Sequence, residues 1–114
     1  MKNQFGVTGF IFNNNYEWKN IGEGIKRKIL GYEKDLMLVA VKFKKGSHAD
    51  LHKHPHKQIS YLISGSFEVN INNEKKIMKA DDVFLVLPNI QHSVAALEDS
   101  MIIDVFTPYR EDFI

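Results

Sequence analysis

Residues 46–73 read GSHADLHKHPHKQISYLISGSFEVNINN, and within them Phe67, Val69 and Ile71 alternate strictly with Glu68, Asn70 and Asn72. Successive side chains of a strand point to opposite faces, so this alternation predicts a half-buried β-strand. The run stops at Asn72-Asn73, a pair suited to the positive φ angles of a tight hairpin. Just upstream, Ile59 to Ile63 is a second β-rich run, closed by Ser64-Gly65. Ahead of that lie His52, His54 and Gln58, two and four residues apart.

The same texture extends in both directions. Ile25 to Leu30 ends at Gly31, and Leu36 to Phe43 ends at Lys45-Gly46. Lys75 to Lys79, Val83 to Leu87, His92 to Leu97 and Met101 to Phe106 follow, separated by Asp, Pro, Asn and Glu-Asp turns. No window carries an apolar stripe at helical spacing over a dozen residues. Short, regularly spaced strands in a chain this size predict an all-β sandwich or barrel, and a closed or jelly-roll arrangement limits exposed edges. We expect one domain over residues 21–114, preceded by an aromatic-rich arm over 1–20 that carries Phe5, Phe10, Phe12, Tyr16 and Trp18.

Composition excludes several classes. Fifteen Lys and Arg nearly cancel fourteen Asp and Glu, which gives no electrostatic case for nucleic acid or an anionic membrane. The one compact basic run, Lys26-Arg27-Lys28, alternates across a strand and reads as solvated surface. There is no cysteine, so a bound metal would have nitrogen and oxygen ligands. The N-terminal stretch lacks the apolar core of a signal peptide, and no apolar run approaches a membrane span. The expected setting is cytoplasmic.

Period-two geometry places His52 and His54 on one face of a strand, rings side by side. Alone, such a pair reads as polar surface. What points to a metal is the combination with His92 just after Pro88, and with Gln58 four residues past the pair. Neutral imidazole is the commonest ligand for Zn, Ni, Cu and Fe. Three His and one Gln add no negative charge, so a divalent ion would keep its full field for polarising an oxygen. Gln58 is the weakest ligand of the set, and a hydrogen bond to one of the histidines is its alternative role. His48 and His56 read as rim residues.

Gly46, His52, His54, Gln58 and Gly65 together resemble the first motif of the cupin superfamily, with Gln where most members have Glu. Asp82 through VFLVLPNIQH to His92 resembles the second. Asp81 and Asn89 stand where Gly is usual, and Ala96 replaces a familiar Asn; Asp and Asn tolerate positive φ, so the turns should survive. HKHPHKQ (52–58) and DVFTPYREDF (104–113) are similar to the KdgF family of pectin-degradation cupins, over about residues 18–114, with Lys57 where that family more often has Glu. The resemblance implies a cupin-type jelly-roll β-barrel that binds one divalent metal (Ni, Zn, Mn or Fe) through His52, His54, Gln58 and His92. It implies Asp104 and Arg110 as catalytic pocket residues, and the opening of 4,5-unsaturated monouronates to linear keto acids as the reaction. A non-catalytic sugar-binding cupin, a dioxygenase and a sugar isomerase are the alternatives.

Two local contexts bear on those roles. Asp104 shares strand parity with Ile102 and Phe106 in an otherwise apolar run, where burial would raise its pKa and a nearby cation would lower it. Arg110 follows Pro108, and its planar fork suits a carboxylate, whether of the substrate or of Glu111, Asp112 or Asp104. The aromatic arm suggests a homodimer in which residues 5–18 add to a partner's sheet, with an intramolecular fold-back of the arm as the alternative.

Overall fold

The inward face of one large sheet carries the polar residues of interest in an otherwise apolar setting. A computed structural model describes residues 8–12 and 16–114. Ten strands follow in order: β1 (Lys19–Gly22), β2 (Ile25–Glu33), β3 (Leu36–Phe43), β4 (His48–His52), β5 (Lys57–Ser64), β6 (Ser66–Ile71), β7 (Glu74–Lys79), β8 (Val83–Val86), β9 (His92–Ala96) and β10 (Ser100–Thr107). A short 3₁₀ helix, Glu111–Phe113, closes the chain. The strands form a six-stranded sheet, β1-β2-β3-β10-β5-β8, and a four-stranded sheet, β4-β9-β6-β7. This is the expected all-β jelly roll. Among the described residues no helix is long and apolar enough to cross a membrane.

Turn chemistry explains the connections. Asn72 and Asn73 both adopt positive φ, 52° and 69°, between β6 and β7, the signature of a two-residue type I′ hairpin. Asp81 (φ 76°) and Asn89 (φ 64°) adopt left-handed backbone in the two positions expected to tolerate it. Gly65 (φ 85°) is required twice over, since a Cβ there would also overlap Ser100 Oγ.

The core lies between the sheets, built from Met37, Val39, Leu62, Phe67, Val86 and their neighbours. Cross-strand register sets three inward rows on the large sheet. Arg27, Val41, Ile102 and Leu62 form the first. Ile29, Val39, Asp104, Ser60 and Phe84 form the second. Met37, Phe106, Gln58 and Val86 form the third. In the small sheet His52 pairs with His92.

Some expectations need correction. β4 ends at His52, so His54 sits in the β4–β5 connection and not on a shared strand face. Pro55 explains this, because the residue before a proline is pushed away from regular pairing. β1 and β4 have no apolar alternation and are mostly exposed; the sequence pattern that marks a half-buried strand is absent from both. Gly31 does not end β2, which continues through a register shift to Glu33. The basic run is not uniformly solvated either: Arg27 lies over the Phe113 ring and lines the central cavity. Much of the 1–20 arm lies outside the described residues.

Candidate metal centre and its cavity

Three imidazoles converge although they arrive from different places: β4 brings His52, the loop brings His54 and β9 brings His92. Ring centroids lie 4.2 Å apart for His52 and His92, 4.9 Å for His54 and His92, and 5.7 Å for His52 and His54. The loop is held by the Asn89 N–H, which donates to the His54 carbonyl at 2.8 Å. One ligand atom from each histidine can be chosen so that all lie within 4.8 Å of one another. The three histidines therefore form a group that could hold a metal ion.

Their tautomers follow from their partners. Nδ1 of His52 meets the Asp50 carbonyl at 2.7 Å, that of His54 the His56 carbonyl at 3.1 Å, and that of His92 the Ile90 carbonyl at 2.8 Å. A carbonyl only accepts, so each Nδ1 carries the hydrogen and each neutral ring presents a lone pair on Nε2. Burial lowers the pKa of His54. Burial, with repulsion from the neighbouring histidines and Arg110, takes His92 down to about 4. The buried Nε2 of His92 has no hydrogen-bond partner among the described residues.

Gln58 completes the case. Ser60 donates its hydroxyl hydrogen to Asp104 Oδ1 at 2.5 Å, so its oxygen can accept the Gln58 amide N–H at 2.9 Å. The same amide nitrogen lies 3.4 Å from Asp104 Oδ1. These acceptors turn the amide nitrogen toward Asp104 and leave Gln58 Oε1 2.9 Å from His54 Nε2. Two lone pairs then face each other, and a proton is the disfavoured remedy because His54 is shifted toward the neutral form. A shared cation satisfies both. An orphaned His92 nitrogen, three oriented imidazoles and an amide oxygen fit a divalent ion of the nitrogen- and oxygen-binding type.

The centre opens into a cavity of about 950 Å³ whose lining includes His52, Gln58, His92, Asp104 and Arg110. Asp104 is half-buried and lines this cavity. Burial raises its carboxyl to about pH 6 against the hydrogen bonds from Ser60 and Gln58 and the charge of Arg110. Arg110 is mostly enclosed and is committed locally, donating from Nε to Asp112 Oδ1 at 3.0 Å and from Nη2 to Asp112 Oδ2 at 2.8 Å. That pairing holds the Asp112 carboxyl below its ordinary range. The Arg110 guanidinium also lies 5.0 Å from the Phe106 ring and 4.3 Å from that of Phe113.

Sequence reading thus placed His52, His54, Gln58, His92, Asp104 and Arg110 in what proves to be one neighbourhood. His48 is an exposed residue at the cavity mouth, paired with Asp50 at 3.1 Å. His56 is half-buried, its ring set against Phe106. Ser60 was missed, though its parity with Gln58 on β5 was the available signal.

The cupin domain family model matches residues 39–106. The pectin degradation protein KdgF of Dickeya dadantii (strain 3937) is 48% identical over 99 residues, covering 85% of this chain and 90% of that protein. Among solved structures, KdgF from Halomonas sp. matches with a TM-score of 0.88 at 38% identity, covering 95% of this chain and 100% of that one. An RmlC-like cupin from Shewanella frigidimarina NCIMB 400 matches with a TM-score of 0.89 at 38% identity, covering 95% and 97%.

Proposed function

The chain belongs to the cupin domain family and, within it, to the KdgF family of pectin-degradation proteins, and from that premise we propose a metal-dependent enzyme that linearises 4,5-unsaturated monouronates. The observation that carries this reading is the contact of Gln58 with both His54 and Asp104, which couples the candidate metal centre to a carboxyl group of raised pKa.

In this reading His52, His54, Gln58 and His92 hold the ion, which when bound supplies a positive centre that polarises substrate oxygens. Asp104 moves the proton. As the ring opens, the hemiacetal C1–OH gives up its hydrogen and the C1–ring oxygen bond breaks, leaving an aldehyde and an enol at C5. Asp104 takes a proton at oxygen and returns one to C4, so the product is a 5-keto isomer and nothing is gained or lost. A carboxyl poised near pH 6 is suited to both halves of that transfer. Ser60 fixes the carboxylate by its hydrogen bond, and Arg110 contributes positive charge toward the substrate carboxylate.

The test follows the ultraviolet absorbance of the conjugated C4=C5 bond of unsaturated galacturonate. The metal-loaded protein is expected to speed its loss well beyond the uncatalysed opening. A rate equal to the protein-free blank would dismiss the reaction. We further assign the chain to a homodimer, supported by Phe10 and Phe12, which are 92% and 68% exposed on the arm and need a covering surface. Sedimentation equilibrium should return twice the chain mass, and a monomer at micromolar concentration would refute it.

A further inference from the structure

We propose that Arg27 is a carboxylate-binding residue of the cavity, the guanidinium left available to an anionic sugar once Arg110 is tied to Asp112. The inference rests on the cavity being a uronate site and adds a residue that the family motifs quoted above do not include.

The position follows from parity. Ile25 and Ile29 flank Arg27 two residues away on β2 and are both buried, so Arg27 points inward with them. Its cross-strand row continues through Val41 and Ile102, the row adjoining Asp104. Two strand spacings and one two-residue step separate the Arg27 and Asp104 backbones by roughly 12 Å, a gap that their side chains narrow from either side. Both residues line the same cavity as Gln58 and His92.

The two guanidiniums differ in what they have left to give. Arg110 spends Nε and Nη2 on a bidentate pair with Asp112. Arg27 makes no ion pair or side-chain hydrogen bond among the described residues; its recorded contact is the Phe113 ring, 3.7 Å from the guanidinium carbon. Phe113 therefore meets both cations and packs against Arg27 without satisfying its N–H groups. Burial also lowers the Arg27 pKa, and Arg110 repels it, with Asp112 opposing. A partly desolvated, unpaired fork beside a second cation favours a carboxylate arriving from the cavity.

Equilibrium binding tests this apart from turnover. D-Galacturonate, which has no C4=C5 bond to rearrange, is titrated calorimetrically into wild-type protein, Arg27→Gln and Arg27→Lys, with D-galacturonamide as the uncharged probe. Losing a charge-assisted hydrogen bond is expected to weaken galacturonate about tenfold or more in Arg27→Gln, while the amide binds as before. Arg27→Lys should keep part of the preference for the acid. Undiminished galacturonate affinity in Arg27→Gln overturns the proposal. So does equal weakening of acid and amide, the mark of a prop beneath Phe113, and so does a wild type with no preference for the acid. Failure of unsaturated uronate turnover, with the charge preference intact, would sink the reaction and leave Arg27 in place.

Discussion

Alanine in place of His92 is expected to empty the metal centre. Wild-type protein should carry one equivalent of divalent metal by elemental analysis, and the variant essentially none. His92 is buried with its Nε2 unpartnered, and its ring lies 4.2 Å from His52 and 4.9 Å from His54, so it contributes one of three converging lone pairs. Losing a residue that merely orients a ligand costs about 10–100-fold in affinity, so losing a ligand should cost at least the upper figure. His48→Ala is the control: that ring is exposed and paired with Asp50, and its removal should leave metal content unchanged. Full metal occupancy in His92→Ala would end the metal reading.

Asp104→Asn should lower kcat by about 10²–10⁴, the range for removing a positioned acid–base group, while metal content stays at one equivalent. Turnover near the wild-type level would remove Asp104 from the chemistry. The same substitution should stabilise the chelator-treated protein, and the direction depends on pH. The folded-state pKa is raised to about 6, so between the ordinary carboxylate value and pH 6 the folded chain holds a proton that the unfolded chain has lost. Folding stability therefore falls as pH rises through that window, and the full penalty stands above it. Asparagine cannot ionise. The variant should exceed wild type by about 3 kcal/mol above pH 6 and converge on it toward pH 4, read from denaturant titrations at both ends.

How far the sequence could be read depended on whether a residue obeyed strand parity. Leu36–Phe43 was legible as an apolar run of strand length closed by Lys45-Gly46, with Met37, Val39, Val41 and Phe43 sharing one parity that the fold turns inward. Asp104 was legible for the same reason, placed by Ile102 and Phe106 on an inward face. β1, with all four residues exposed, offers no pattern to read. His54 illustrates the opposite case: the histidine pair does converge, but through a proline-directed loop, so a correct grouping came from an incorrect geometry. Arg27 was hidden by its neighbours. A run of three cations suggests solvent, whereas the buried Ile25 and Ile29 on the same parity pointed to the interior.

The three carbonyl contacts at Nδ1 carry a longer consequence. Each imidazole is steered by a main-chain oxygen two positions away in its own segment, so its aim does not depend on neighbouring side-chain identity. Residues such as Arg27, Asp104 and Phe113 can then be exchanged around a nitrogen cluster that keeps its orientation. A scaffold wired in this way lets selection retune the reagent without re-drilling its anchor.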